Sequence, residues 1–595
     1  MNIKIIFFLW IILFSYQSTA QRPPAFKSSN KMITTPFETS DNTTATYHEA
    51  IAYYEKLDKQ FDQLKLKTYG TTDAGHPLHL AIISNDGDFD PISIRKKGKQ
   101  ILMINNAIHA GEPCGVDATM MWLRDVLSQK EKQEWLEHNV IIAIPIYNIG
   151  GALNRNSTTR ANQNGPASYG FRGNAKNLDL NRDFIKCDSR NAQTFNQLFN
   201  EWQPNIFIDN HTSNGSDYQY TMTLITTQID KLNINFRDYL RSKMLPRLYK
   251  DMKSRNWEMT PYVYATGKPN KGIKAFLDLP RYSSGYAALH NTISFMPETH
   301  MLKPFKDRVQ STYTFMDCML RLMHEDKNFI TEMKKSAKED VKNTKRFDLN
   351  WEVDSENPDK VLFKGYEAGY KPSEVSGENR LYYDQSKPFE KDLPYLDKYK
   401  ATLSVEKPVA YIIPQAYHKV IDRLKWNGVK LKRLTKDQTV EAEFYRIGKV
   451  ETRNFPYEGH YLHRGVEVEK EVLMWNYFKG DYVVFVDQMT NRYIVETLEP
   501  QAPDSFFAWN FFDGILMQKE YYSNYVFEDL AASYLQQQPE LKKRFEAKKL
   551  EDPAFAKSGQ AQLDFIYKNS PHYEPTHRLY PVARFTGNTK SLNIN

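Results

Sequence analysis

His109 and Glu112 stand in Ile108-His109-Ala110-Gly111-Glu112, just past the apolar run Ile101 to Ile104. An imidazole and a carboxylate separated by two residues, at the end of a buried strand, have the spacing of half a zinc site. A chain with 14 His produces such a pair by chance on the order of once, so the pair carries weight only if the rest of a site follows. Zinc held by nitrogen and oxygen needs a third protein ligand and one open position for water, which calls for another His at a strand end. Asn205-Ile206-Phe207-Ile208-Asp209-Asn210-His211 supplies it. Between the two lies Asn177-Leu178-Asp179-Leu180-Asn181-Arg182-Asp183, a polar stretch whose guanidinium suits it to gripping a carboxylate. Further on, Ile293-Ser294-Phe295-Met296-Pro297-Glu298-Thr299-His300 puts a carboxylate after another β-prone apolar run. The chemistry open to these types together is metal-assisted attack of water on a substrate that carries a carboxylate.

In order and spacing the four segments resemble the metallocarboxypeptidase family of the carboxypeptidase A and B type, over roughly residues 45–328. The resemblance implies a role for each residue. His109, Glu112 and His211 match the family's zinc ligands, Asn181 and Arg182 its pair for the substrate's terminal carboxylate, and Glu298 its general base. Asp179 sits where the family places the carboxylate that hydrogen-bonds the first ligand His, fixing the tautomer of that ring. The arginine that stabilises a developing oxyanion has three matches, Arg155, Arg160 and Arg172; Arg172 is favoured because Arg172-Gly173-Asn174 travels with the Asn181 segment. Tyr282 is the best match for the family's mobile tyrosine, with Tyr286 competing. One departure is Asn148-Ile149-Gly150-Gly151, where many members carry an Asn-Pro-Asp-Gly turn. That turn and the long loop after it bear on the shape of the cleft.

Elements able to position these residues are legible around them. A helix is expected over Tyr47 to Leu64, extended runs at Leu78 to Ser84, Gln100 to Ala107 and Val140 to Tyr147, and a helix over Gly115 to Leu127. Such alternation predicts an α/β layer architecture with a mixed sheet, and the resemblance implies a sheet of the eight-stranded type flanked by helices. His109, Glu112 and His211 then fall past strand carboxyl ends, where open α/β sheets place their sites. Met301 to His324 reads as the helix closing this domain.

Residues 329–348 are charged and weakly patterned and read as a linker. Beyond it, Pro408 to Pro414, Glu467 to Leu473, Tyr482 to Asp487 and Tyr493 to Thr497 read as strands. Helices are expected at Ala416 to Trp426, stopping at Asn427-Gly428, and at Glu528 to Leu535. Residues 349–595 are therefore expected to form a β-rich C-terminal domain. His460 and His463 there are spaced like metal ligands, but on a strand residues three apart face opposite ways. Phe506-Phe507-Ala508-Trp509-Asn510-Phe511-Phe512 reads as core packing rather than a ligand platform.

Residues 1–20 carry one positive charge, a short apolar core and Ser18-Thr19-Ala20, the pattern of a secretory signal peptide cleaved after Ala20. Residues 21–44 are polar and read as a loosely ordered arm. No later run approaches the roughly 18–20 apolar residues that spanning a membrane requires, so a secreted or periplasmic protein is expected. The 3 Cys argue against a disulfide framework; Cys114, Cys187 and Cys318 read as buried thiols. An excess of 79 Lys and Arg over 72 Asp and Glu is too small and dispersed to indicate nucleic acid. The expected partner is a peptide with a free C-terminus, the cofactor Zn²⁺ and the reaction removal of the last residue. A zinc amidohydrolase acting on N-acyl amino acids or cell-wall peptides, and a binding protein that keeps the metal without turnover, are the competing readings. Glu298 and the Asn181-Arg182 pair count against the second.

Overall fold

The computed structural model describes residues 33–263, 269 and 272–595. The expected signal peptide and residues 21–32 of the expected arm lie outside the described residues. Nine strands make the main sheet: β1 (Leu64–Thr71), β2 (Pro77–Ile83), β3 (Gln100–Asn105), β4 (Asn139–Ile144), β5 (Ile206–Asp209), β6 (His211–Ser213), β7 (Met222–Thr226), β8 (Met259–Pro261) and, after the small strand β9 (Ile273–Lys274) of another sheet, β10 (Ile293–His300). Eight run in the order β1-β2-β4-β3-β5-β10-β7-β8, and β6 pairs with β10. The ninth strand arises because Asn210 interrupts what would be one strand, so that β5 and β6 both lie parallel to β10.

The centre of the sheet is parallel, β4 to β3 to β5 to β10; β1, β2 and β4 pair antiparallel on one side, and on the other β7 is antiparallel to β10 while the edge strand β8 is parallel to β7. Every residue of β3, β4, β5 and β10 is buried, as strands covered by helices on both faces must be. That burial is why β3, β4 and β5 read as near-continuous apolar runs. One cover includes the helices Tyr47–Gln60, Cys114–Ser128 and Phe305–Glu325, whose apolar residues form a continuous cluster with Leu102, Ile104 and Ile141. The opposite cover includes the helix Arg190–Trp202, with Phe195, Phe199 and Trp202 against Met103, Ile142 and Phe207.

Three local expectations are corrected. Residues 33–44 are pinned: Thr35 and Glu38 close a capping box on the short helix Pro36–Thr39, Phe37 is buried, and Arg124 pairs with Glu38 at 2.8 Å. Residues 327–343 form a helix instead of a linker, burying Ile330, Met333, Ala337 and Val341 at helical spacing between charges. Residues 491–498 form a helix where a strand was expected at Tyr493 to Thr497; Tyr493-Ile494-Val495 is β-prone, and so short an apolar run does not tell strand from helix.

The C-terminal region is β-rich, with a six-stranded sheet, a long hairpin of Asp359–Pro372 with Asn379–Leu396, and two two-stranded ribbons. Helices between Asn524 and Lys568 pack on Phe527, Phe545, Phe555 and Tyr567. The hairpin reaches back to the first half, where Tyr395 pairs with Ile273 of β9. The cluster that covers the main sheet also runs on into the second half: Tyr411, Ile494, Leu498, Phe506 and Trp509 belong to it with Phe199 and Tyr286. The aromatic run at 506–512 is thus core, apart from Asn510 and Phe511 at its edge. Among the described residues no helix is long and apolar enough to cross a membrane.

Candidate active site

Chain direction brings the site together at the carboxyl ends of β3 and β5. Asn105 and Asp209, the last residues of β3 and β5, and Asn106 and Asn210, the residues that follow them, meet in pairs through amide contacts of 3.0 Å and 2.8 Å. Ala107 then turns at φ 54°, and a turn closed by the Glu112 N–H on the His109 carbonyl at 2.9 Å presents both side chains on one side. Two glycines make this fit. A Cβ on Gly111 would lie 2.6 Å from Cδ of Arg160 and 2.9 Å from the Gly170 carbonyl, and one on Gly115 would lie 2.5 Å from Cβ of Asn210. Gly115 lets the helix Cys114–Ser128 press on the interruption between β5 and β6. The helix keeps Cys114 buried beside Thr212 and Thr299, and all three Cys are free and buried.

His109, Glu112 and His211 are buried, with one donor atom of each within 4.8 Å of the others. His109 Nε2 contacts Asp179 Oδ1 at 2.9 Å and His211 Nε2 contacts Asp209 Oδ2 at 2.9 Å. Both rings are held from behind, so both Nδ1 atoms face Glu112, at 3.2 Å and 3.3 Å. His109 Nδ1 is buried without a hydrogen bond aligned to it. Two imidazole nitrogens and a carboxylate converging this way, one nitrogen otherwise orphaned, fit a zinc ion. Glu112 is further tied to the Thr212 N–H at 2.9 Å and to Arg160 at 3.0 Å. Burial opposes its charge, but His109 and Arg160 hold its carboxyl far below the usual carboxylate range.

Glu298 lies on β10 in register with His211 on β6. Burial pushes its carboxyl up to about 8; His211 opposes that, and Glu112 and Asp209 add to it. Asp179 caps the turn Leu180–Arg182 by accepting the Asn181 N–H at 2.8 Å and pairs with Arg172 at 2.8 Å. Burial raises the Asp179 carboxyl, but His109, Arg172 and Arg182 together hold it below the ordinary range. Asn181 accepts the Ser283 N–H at 3.0 Å. The Arg182 guanidinium lies 4.5 Å over the ring of Tyr282.

A cavity of about 640 Å³ collects His109, Glu112, Arg160, Arg172, Asn181, Arg182, His211, Tyr282 and Glu298 on one wall system. Asp179 stands behind it. Of the three arginines, Arg155 is elsewhere, bonded to Ser168 and to the carbonyls of Thr44 and Ala45. Arg160 and Arg172 both line the cavity and both reach Glu112. Tyr286 is sealed in the core with its hydroxyl on Asn427 at 2.7 Å, which leaves Tyr282 at the cavity. His460 and His463 are bound apart, to Asp188 at 2.7 Å and Asp513 at 2.9 Å; His460 is in a turn rather than on a strand.

The family model of the zinc carboxypeptidases, peptidase M14, matches residues 50–301, the segment that carries every residue of this cavity. These residues are a zinc carboxypeptidase domain. Curated relatives of the chain extend beyond the domain. Carboxypeptidase 2 of Trichophyton tonsurans is 22% identical over 435 residues, 70% of this chain and 74% of that protein. Carboxypeptidase 2 of Trichophyton rubrum is 22% identical over 420 residues, 68% and 72% of the two. Solved structures similar to the chain include a metallo-carboxypeptidase from Burkholderia cenocepacia, with TM-score 0.36, 13% identity and 48% of this chain against 70% of that one. The carboxypeptidase A from Helicoverpa armigera gives TM-score 0.36 and 14% identity, over 48% and 75%.

The carboxypeptidase domain also holds its candidate residues through groups that the sequence did not single out. Asp209 is one, and its place two residues before His211 was the available signal. Tyr457 and Glu458 are others: Tyr457 accepts a hydrogen bond from Arg182 Nε at 3.1 Å, and Glu458 accepts the Asp179 N–H at 2.7 Å. Nothing in local sequence could announce contacts spanning more than 270 positions.

Proposed function

We propose that this chain is an exported zinc carboxypeptidase that hydrolyses the C-terminal peptide bond of peptides. The observation that carries the reading is one cavity that holds a His, Glu, His donor set, a buried carboxylate beside it and a guanidinium at its wall. His109, Glu112 and His211 would hold the zinc. Bound zinc supplies Lewis acidity, making water a usable nucleophile near neutral pH and polarising a carbonyl. Glu298 takes a proton from the attacking water and returns it to the nitrogen of the departing residue. Burial supports the stay of that proton on Glu298 before it is returned, because a carboxyl raised in this way holds a proton better than an exposed one does. Arg182, with Asn181, binds the free α-carboxylate by charge-assisted hydrogen bonds, which confines cleavage to the chain's end. Arg172 is the arginine proposed to meet the developing oxyanion. Tyr282, with its ring over Arg182, closes one side of that subsite. Export rests on the signal-like residues 1–20.

The test is incubation of residues 21–595 with a library of free-acid peptides and the same peptides C-terminally amidated, with and without a zinc chelator, read by mass spectrometry. Chelator-sensitive loss of single C-terminal residues from the free acids alone is expected. Equal cleavage of both sets would remove the role given to Arg182. Cleavage of neither, with N-acyl amino acids hydrolysed instead, would replace the reading with an amidohydrolase.

A further inference from the structure

Arg182 is held by a residue from the far end of the chain. The segment Tyr457-Glu458-Gly459-His460 is a two-residue hairpin turn: Tyr457 and His460 bridge each other through N–H to carbonyl bonds of 2.7 Å and 3.1 Å. Its central residues take φ 49° and 84°, the left-handed pair that such a turn demands and that Gly accepts more readily than Glu. The turn grips the carboxypeptidase domain at three points. Glu458 accepts the Asp179 N–H at 2.7 Å, His460 contacts Asp188 at 2.7 Å, and the Tyr457 hydroxyl accepts from Arg182 Nε at 3.1 Å. The Tyr457 ring is set in turn by Trp509, stacked at 6.1 Å and 19°, and by the Arg281 guanidinium at 5.6 Å.

We infer that Tyr457 is a positioning residue for the carboxylate subsite, so that the C-terminal region completes a site whose other residues belong to the first half. The inference rests on the proposed role of Arg182. An arginine can meet a carboxylate through its Nη1 and Nη2 end or through its Nε and Nη2 side. Tyr457 occupies Nε, and Nη1 already gives one hydrogen to the Asn181 carbonyl at 2.8 Å. Among the described residues none accepts from Nη2. Tyr282 stacks on one face of the guanidinium. With its side edge and one face taken, the group is left to bind a carboxylate end-on, in a plane that Tyr457 and Tyr282 fix. A mobile arginine would have to be ordered at each binding event, and this one is ordered in advance.

The experiment is a double-mutant cycle on the full protein with Tyr457→Phe and Arg182→Ala, using an N-acyl dipeptide as substrate and 3-phenylpropanoate as a competitive carboxylate probe. Tyr457→Phe keeps the ring on Trp509 and removes one acceptor from a charged donor. It is expected to raise KM and the inhibition constant of the probe about tenfold while kcat changes less than about twofold. In the Arg182→Ala background the same substitution is expected to change neither constant by more than about twofold, the non-additivity of groups that act through one another. Arg182→Ala impaired, with Tyr457→Phe silent or fully additive, would overturn the positioning role alone. A lower kcat with unchanged KM in Tyr457→Phe would overturn it too. Unaltered constants in Arg182→Ala would instead overturn the reading of Arg182, and the inference with it.

Discussion

At the scale of single residues the site works by backing. Asp179 and Asp209 each take the Nε2 side of a candidate ligand imidazole at 2.9 Å, which leaves Nδ1 of each ring as the donor presented to a metal. Glu298 is set apart from this arrangement. It shares register with His211 but belongs to another strand, and it is absent from the convergent donor set. The two roles are therefore separable by mutation. Glu298→Gln is expected to retain zinc at the wild-type stoichiometry while kcat falls by about 10²- to 10⁴-fold, the range for loss of a general base; metal analysis and steady-state kinetics on the same preparation check it. Loss of zinc in parallel with activity would make Glu298 part of the ligand set.

The elements that carry these residues are tied together by buried polar groups, and one of those ties is sensitive to pH. Asp117, in the first turn of the helix after Glu112, accepts from the Thr44 hydroxyl at 2.5 Å and from the Ala45 N–H at 3.1 Å, fastening the chain before the helix Tyr47–Gln60. Burial raises its carboxyl from 3.8 to about 7, against the pull of Thr44 and Ala45. The native state therefore binds a proton that the unfolded chain has released. For a carboxyl raised in this way, stability is fully present below the unfolded value of 3.8 and is lost as pH rises through about 7. Asp117→Asn is expected to flatten this decline, so the urea midpoint of the variant relative to wild type increases between about pH 5 and pH 8. A constant difference across that range would mean that Asp117 is ionised throughout in the folded protein.

Over the whole molecule the two halves share a core and do not meet as finished domains. Phe199 and Tyr286 of the first half and Ile494, Leu498, Phe506 and Trp509 of the second lie in one buried cluster, and each such side chain is worth about 1.5–3 kcal/mol when removed from water. A charged pair crosses the same boundary. Arg281, the neighbour of Tyr282, meets Asp504 at 2.9 Å with both side chains buried, and the Arg281 N–H also donates to Asp504 at 2.9 Å. Asp504→Ala leaves a buried guanidinium without its partner and is expected to cost about 3–5 kcal/mol. In denaturant unfolding, that loss should shift the signals of the first and second halves together as one transition. Two separated transitions, with only the second shifted, would show that the halves are independent.

Much of the first half was legible because its physics is local or periodic. The runs at β3, β4 and β5 are apolar because central parallel strands are buried on both faces. His109, Glu112, His211 and Glu298 follow or sit on such runs because the ends of those strands are where side chains can converge. The helix at 327–343 and the one at 491–498 escape such a reading, the first because charges hide its apolar stripe and the second because its apolar run, Tyr493 to Val495, is short and β-prone. What local sequence could not give is which distant residues share a cavity. The exclusion of Arg155 from it, the sealing of Tyr286, and the grasp of Arg182 by Tyr457 are decided by contacts between segments far apart in the chain. A side chain's type and neighbours limit what it can do. Tertiary packing settles what it meets, because a hydrogen bond of 3.1 Å across 275 positions depends on every element between them.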